Sequence, residues 1–565
     1  MSAEPRPASR SAALWLLLPL LAGAALRLYH LAPQILDDDE VHAVRAAVSL
    51  PLPVILTTYQ ESDNCIPLTA LFRLLLDAGV RLGEGSFRAP SILCGLLLLV
   101  LLPLLPLDIF LRERRRPGGT ILPAIVFAWL LALSPLLVFY SRIARSYLPM
   151  TLFALVAAAA FAAWWRTLSP AFAAAYVVAG GLAVWLHLGA APIVAAPFLF
   201  AALDLLWGRK EERGRRLSHL ALLGGAIVLA LATFLVPARD SLSVLLTEKQ
   251  QTQTIPGETI VDVLDLQAGT AVPALVILFW LAALGGLAAL LAHGRGHRRL
   301  GAYTLTLAAV QLVGIRLLSP LGLANPLILD RYLLPALPLV LLWVACAFAL
   351  PWRPLARWGR AGTVLQGTLA VAFVLALTWG GPLVDRQLWA SSFLHHNDFL
   401  RFYQPRPRLA PEAVPGPYRE IARTAGKGAV IEYPWSSFAG LRTPYLYQEV
   451  HGRRVQVSGP QRLLVSPVLA LANVVAPTPE AFCASGARFL AVHLHIAREE
   501  DPLFVRDEER LGEREMRPDL RRTLRQQAEA MEQNLTGLWG APTWASPGLR
   551  VWDLAIACRR AGGGR

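Results

Sequence analysis

Hydrophobic positions in the first two thirds of the chain follow neither the period of two of a half-buried strand nor the one-sided stripe of a surface helix. They form stretches of about twenty residues, apolar on every side and parted by short polar connectors, and each is long enough to cross a bilayer as a helix. Spans are expected near 11–29, 90–111, 121–139, 148–165, 171–187, 190–207, 220–237, 271–292, 302–318, 332–350 and 363–380. The short hairpin around His187 joins two of them. The apolar stretch Ala12 to Ala25 is read as a retained signal-anchor, although Ala22-Gly23-Ala24 resembles a cleavage site, because the later connectors alternate correctly when it counts as span one.

Between spans one and two, Glu40–Leu50 and Pro67–Leu82 read as short helices lying along a membrane surface. After Trp379 the apolar runs stop and Pro, Arg, Glu and Asp rise. Short β-type runs at Ala429–Tyr433, Val455–Ser458, Phe489–Leu494 and Leu549–Leu554 are interleaved with helical stretches, notably Glu508–Asn534. The predicted fold class is mainly α: a polytopic transmembrane helical bundle of about eleven spans with a small C-terminal α/β extracytoplasmic domain. The expected division is a transmembrane module over 1–382, with a long outer loop at 29–88, and an α/β domain over 383–565.

Charge supports that topology. Only 16% of the 565 residues are charged, against about a quarter in a soluble protein. The net charge of +14 would suit nucleic acid were it spread over one face. It sits instead in 1–10, 112–120, 166–170, 208–219, 293–301 and 351–362, which hold eighteen Lys or Arg against four Glu and so account for the whole excess. Those connectors fall on one side of the membrane. The positive-inside rule makes that side cytoplasmic, with the N-terminus, and puts the C-terminal domain outside a plasma (inner) membrane. No nucleic-acid partner is expected. Arg27 and Arg316 lie toward outer ends of spans, where snorkelling is inexpensive. Of five cysteines, Cys94 and Cys346 fall in spans, while Cys65, Cys483 and Cys558 fall outside, where one pair could be oxidised.

Three polar groups stand out at the outer face. Asp37-Asp38-Asp39-Glu40, with His42 close behind, follows span one. A helix cap, with Asp39 at N-cap, would account for part of it. Four successive acids also repel one another, so their ionisation calls for a donor or a divalent cation at Asp38, Asp39 and Glu40; a carboxylate placed there could serve as general base toward an acceptor. Next is Tyr140-Ser141-Arg142-Ile143-Ala144-Arg145-Ser146-Tyr147, whose outer arginines run against the positive-inside bias and suit a phosphate. The third is Asp330-Arg331-Tyr332, which taken alone reads as a snorkelling Arg with an interfacial Tyr rather than as a functional group.

Taken in order, these residues resemble the GT-C superfamily of lipid-phosphate-sugar-dependent glycosyltransferases, in particular its protein-mannosyltransferase and aminoarabinose-transferase-like branch. The resemblance runs through Asp39-Glu40, Ile66-Pro67-Leu68, Phe87-Arg88-Ala89-Pro90-Ser91, Leu133-Ser134-Pro135, the Tyr140–Tyr147 run and Arg331-Tyr332-Leu333-Leu334-Pro335, over roughly residues 10–350. It implies a hexosyl- or pentosyltransferase that moves a sugar from a polyprenyl-phosphate donor to a lipid, glycan or protein acceptor at the outer face. It implies Asp39 as catalytic base with Glu40 as partner, and Arg142, Arg145, Tyr147 and Arg331 at the donor phosphate; Asp38, His42 and Tyr332 would support them. Relatives often carry a basic residue immediately before the Pro-Leu of loop one, and here that position is Ile66, after Cys65. Two rival readings are a lipid or glycan flippase, which should show polar residues at mid-membrane, and a receptor with a ligand-binding ectodomain, which would leave the acidic run idle.

Overall fold

The computed structural model describes residues 10–29, 31, 40, 43–44, 46–47, 50–59, 65–80, 82–103, 121–207, 210–249, 254–320, 322–349, 358–384, 414–426, 428–433, 450–453, 455–457, 478–494 and 518–562. It divides into two compact units. One comprises Met1–Tyr29, Pro51–Ala70 and Arg88–Val384, the other His30–Leu50, Leu71–Phe87 and Asp385–Arg565. Two stretches of the expected outer loop therefore group with the C-terminal part of the chain.

The helices in chain order are α1 (Arg10–Leu28), α2 (Leu52–Thr57), α3 (Ile66–Asp77), α4 (Glu84–Leu101), α5 (Ile121–Leu133), α6 (Pro135–Ser141), α7 (Tyr147–Thr167) and α8 (Pro170–Leu186). There follow α9 (Ala191–Trp207), α10 (Lys210–Leu235), α11 (Arg239–Lys249), α12 (Gly257–Ala268), α13 (Pro273–Ala292), α14 (Arg295–Leu318), α15 (Pro326–Leu333), α16 (Leu337–Ala349) and α17 (Gly359–Trp379). Among the described residues six helices are long and apolar enough to cross a membrane, or eight if the bent pairs α5–α6 and α15–α16 each make one span. The other three expected spans coincide with shorter apolar helices, α1, α4 and α8, so length and composition do not reach the count of eleven. Large apolar side chains face outward along several helices: Leu222 is 72% exposed, Leu229 69% and Leu317 75%. Water would penalise that surface heavily, whereas lipid tails would not. Helices approach closely where glycine permits. A Cβ on Gly286 of α13 would collide with the Trp343 carbonyl of α16, and one on Gly314 of α14 with Pro192 of α9.

Two proline breaks shape the first unit. α5 and α6 meet at 57°. Pro135 has no N–H to offer the Leu131 carbonyl, so the last turn of α5 loses acceptor satisfaction in an apolar setting. Arg27 of α1 supplies the donors. Its guanidinium is fully buried and gives Nη2–H to Leu131 O (3.5 Å), Nη1–H to Ala132 O (3.4 Å) and Gly23 O (3.0 Å), and Nε–H to Ser141 Oγ (3.0 Å). The snorkelling expected of Arg27 is thus replaced by an inward cap, a cation on a helix C-terminus. Ser134 N-caps α6, accepting from the Leu137 N–H. The second break bends α15 from α16 by 75° at Leu334-Pro335-Ala336. There the Ala336 N–H turns to Leu333 O, and the Tyr332 carbonyl accepts instead from Gln311 Nε2 of α14 at 2.7 Å.

The second unit contains the α/β part. Its helices are α18 (Gly416–Arg423), α19 (Pro479–Ala484), α20 (Pro518–Trp539) and α21 (Leu554–Gly562); its strands are β1 (Val430–Tyr433), β2 (Val455–Val457), β3 (Phe489–His493), β4 (Trp544–Ser546) and β5 (Leu549–Asp553). The sheet order is β2-β1-β3-β5-β4, with β1 parallel to β2 and β3, and β5 antiparallel to β3 and β4. Four strands match the expected runs within a residue. β4 is additional, a three-residue strand returning through Gly548, whose φ of +78° suits a tight turn. α20 is described from Pro518 to Trp539 and overlaps the expected helical stretch over Pro518–Asn534; 508–517 lie outside the described residues. Its core gathers Tyr418 and Ile421 of α18 with Val430, Phe489, Ala491, Leu549 and Val551 on one sheet face. Cys483 and Cys558 form a disulfide between α19 and α21, while Cys65, Cys94 and Cys346 are free and buried.

Replacing Arg27 with Met keeps the volume and removes every donor. We expect the detergent-solubilised protein to lose about 2 kcal/mol or more of stability, since two α5 carbonyls are left buried without partners. A thermal unfolding midpoint equal to wild type would show that the cap carries no stability.

Candidate functional site

The segment between α6 and α7 should be an exposed outer connector, yet Arg142, Ile143, Ala144, Arg145, Ser146 and Tyr147 are all buried. Connectors normally run over a surface because their backbone groups need water. Here neighbours replace it. The Arg145 N–H gives to Ile143 O at 2.8 Å, and the Arg145 carbonyl accepts from Ser91 Oγ of α4 at 2.9 Å. The Cys65 thiol, at the start of α3, hydrogen-bonds with Ser146. Residues near Pro67-Leu68 and in the Phe87–Ser91 motif therefore hold the connector that carries Arg145.

Arg145 and Arg331 meet at one aromatic ring. The Arg145 guanidinium carbon lies 5.5 Å from the Tyr147 ring centre and that of Arg331 5.3 Å from the same centre. Arg145 Nη2–H also donates to the Tyr147 hydroxyl (3.3 Å). Arg331 is 5.5 Å from the ring of Tyr332. Around them the Tyr147 ring packs on Tyr140 (5.4 Å) and on His187 (5.5 Å), and His187 packs on Tyr332 (5.4 Å). His187 Nδ1 accepts from the Gly189 N–H at 3.0 Å, which leaves Nε2 to carry the proton of the neutral ring. Gln311 bonds the Tyr332 and Gly189 carbonyls and accepts from the Ile193 N–H, so one side chain fixes the His187 turn and the α15 end together. Aromatic faces and flat guanidiniums form a rigid, cation-bearing surface suited to an oxyanion.

The expected site residues fare differently. Arg145, Tyr147, Arg331 and Tyr332 are brought together. Arg142 faces the end of α1, where Nη1–H donates to Leu26 O (2.8 Å), Arg27 O (3.3 Å) and Tyr29 O (2.6 Å); it caps that helix, a role the sequence did not suggest. Arg88 is fully buried and close enough to Arg142 for their charges to interact. Glu40 is buried in the second unit. Asp37, Asp38, Asp39 and His42 lie outside the described residues, as does most of any cation site there. Among the described residues no group of three His, Cys, Asp or Glu could hold a metal. Asp330 is fully buried and accepts from Gln267 Nε2 at 2.9 Å, tying α15 to α12. Sequence reading missed Gln311 and gave no role to His187, nor to Tyr140 and Ser91, although the last two lie in runs it singled out. The one signal for His187 was a lone imidazole in a hairpin between apolar helices.

No protein-family model and no curated protein matches the chain. Solved structures similar to it include two of the same protein. One is ArnT from Cupriavidus metallidurans in the apo state, with a TM-score of 0.42 and 15% identity over 85% of this chain and 93% of that one. The other is ArnT from Cupriavidus metallidurans bound to undecaprenyl phosphate, with a TM-score of 0.42 and 13% identity over 80% of this chain and 86% of that one.

Burial pushes the Cys65 thiol up to about 11, against a smaller opposing effect of its bonds to Ser146. The folded protein therefore resists forming this thiolate. Iodoacetamide at pH 9 should modify Cys65 roughly fifty-fold more slowly than a free thiol, with the rate climbing about tenfold per pH unit and levelling off only above about 11. Rapid labelling of Cys65 in the native protein at pH 8, read by peptide mass spectrometry, would remove it from the connector's support.

Proposed function

We propose that this chain is a multi-pass membrane glycosyltransferase that moves a hexosyl or pentosyl unit from a polyprenyl-phosphate donor to a lipid, glycan or protein acceptor at the extracytoplasmic face of an inner membrane. Arg145 and Arg331 hold the donor phosphate with Tyr147, Asp39 is the general base, and Glu40 is its partner. The observation that carries the reading is the convergence of Arg145 and Arg331, distant in sequence, on the Tyr147 ring. A fork of guanidinium N–H groups stabilises a phosphate better than ammonium groups do. Asp39 contributes through its place in the sequence motif. The Cys483–Cys558 disulfide supports an oxidising compartment for the C-terminal domain.

The reaction is a displacement. The acceptor oxygen bonds to the anomeric carbon as the bond from that carbon to the phosphate oxygen breaks. The acceptor proton passes to the Asp39 carboxylate, and the electron pair leaves on the polyprenyl phosphate, whose charge Arg145 and Arg331 stabilise.

Binding and chemistry are tested separately. In detergent, undecaprenyl phosphate should bind Arg145→Ala at least tenfold more weakly than wild type, with Arg145→Lys between them. Asp39→Asn should bind it normally and lose on the order of 10²–10⁴-fold in sugar transfer from a polyprenyl-phosphate donor. Asp37→Asn and Asp38→Asn report whether the base lies one position away. Equal affinity in Arg145→Ala removes the phosphate assignment. Full turnover in all the acidic variants reduces the run to a helix cap and leaves a carrier of lipid phosphate, the flippase reading.

A further inference from the structure

The proposed transfer makes no use of a polar cluster at one end of the C-terminal sheet. Val430 of β1 and Phe489 and Ala491 of β3 lie on the apolar face beneath α18. Alternation along the strands continues that face to Glu432 and His493 at the carboxyl ends. Glu432 pairs with Ala491 in register, so His493 is its diagonal neighbour. Glu432 is fully buried. Its Oε2 accepts from the Tyr418 hydroxyl (2.7 Å) and from His493 Nε2 (2.6 Å). Its Oε1 is buried too and has no hydrogen-bond partner among the described residues.

A matching donor lies nearby. The ring of Tyr418 stacks on that of His451, centres 5.7 Å apart and planes 18° from parallel. His451 Nδ1 accepts from the Arg453 N–H at 3.1 Å, so the ring hydrogen sits on Nε2. Nε2 is buried, again with no partner among the described residues. Burial, helped by the charge of Arg453, holds the ring neutral, its pKa pushed down to about 3. Tyr418 thus touches two buried side chains that each keep one hydrogen-bonding capacity open, an acceptor on Glu432 and a donor on His451. Leaving such groups unmet is expensive, which is why cores seldom contain them.

Strand order gives the place a second meaning. The connection after β1 leads to β2 on one side, and the chain after β3 leads to the β5–β4 pair on the other. The carboxyl ends of β1 and β3 are therefore the topological switch point, where open α/β sheets receive ligands.

We propose that this end of the sheet binds a neutral, hydroxyl-bearing ligand of the saccharide class. A ligand hydroxyl donates to Glu432 Oε1, and a ligand oxygen accepts from His451 Nε2–H. A hydroxyl meets this inventory because it both donates and accepts. An anion would be repelled by the buried carboxylate, and an ammonium group could satisfy Oε1 but cannot accept from His451. The inference is independent of the phosphate assignment to Arg145 and Arg331.

The test uses the full-length protein in detergent with no polyprenyl phosphate present, and saturation-transfer NMR with D-mannose, D-arabinose and D-glucosamine as probes. A neutral aldose should give signal with wild type. Glu432→Gln, which turns an acceptor into a donor, and His451→Phe, which keeps a ring on Tyr418 but removes the N–H, should each weaken binding roughly tenfold, the scale of one charge-assisted hydrogen bond. If Glu432→Gln fails to fold by near-ultraviolet circular dichroism, His451→Phe decides alone. The proposal is overturned by no aldose signal with wild type, by signals unchanged in a folded variant, or by binding of glucosamine alone. Without polyprenyl phosphate in the tube, either result leaves the donor-site reading to its own experiment.

Discussion

A backbone carbonyl freed inside an apolar body has no water to turn to, and the first unit is arranged around that constraint. Pro135 frees Leu131 O by withholding an N–H, and a fully buried Arg27 reaches across from α1 to take it. Burying a guanidinium would ordinarily be prohibitive. It is tolerated because all three nitrogens find oxygen acceptors, at Gly23, Leu131, Ala132 and Ser141. The reverse link, Arg142 onto the last carbonyls of α1, closes the arrangement. Each arginine caps a helix C-terminus on the other's side, where the helix dipole favours a cation.

That lock explains why a functional connector can be rigid. With Arg142 anchored at one end and α7 starting at Tyr147, residues 143–146 have little freedom, and Ser91 and Cys65 hold the middle. Arg145 is presented from a fixed backbone rather than from a loop tip. On the other side Pro335 ends α15 just after Arg331, and Gln311 absorbs the carbonyl this break exposes. Both arginines at Tyr147 are therefore delivered by proline-broken helices whose freed polar groups are separately satisfied. Positioning of this kind costs a substrate little ordering entropy on arrival.

The coarse plan was legible because it rests on the period and length of apolar runs. Each expected span meets an apolar helix, and four strands fall where β-branched and aromatic residues cluster. What stayed hidden was the destination of polar side chains. Arg27 and Arg142 look like snorkelling or phosphate-binding residues by position, and nothing local in the sequence says that a proline more than a hundred residues away from Arg27 leaves it a carbonyl. The segment between the seventh and eighth expected spans carries α11 and α12, which the reading by spans did not describe; in Gly257–Ala268, Val263 packs with Ile315 of α14 and Leu329 and Leu333 of α15, and Gln267 bonds Asp330. The disulfide partner of Cys483 was likewise a question of tertiary geometry.

Arg27 and Glu432, one in each unit, are buried polar groups of different kinds. Arg27 has each nitrogen matched to an oxygen, so substituting it breaks packing and nothing is left over for a ligand. Glu432 saturates one carboxylate oxygen with two donors and leaves the other open, on a sheet face where the buried positions are apolar apart from Glu432, His493 and Asp553. An apolar residue at 432 would take the acceptor away from the buried Tyr418 hydroxyl and His493 ring, so Oε2 has a structural duty. That duty does not account for Oε1, which is buried without a hydrogen-bond partner among the described residues, one residue from the end of β1 and diagonal to the histidine at the end of β3. At Glu432 the oxygen that binds Tyr418 and His493 is architectural, and the capacity a ligand can use is the one the fold leaves open on Oε1.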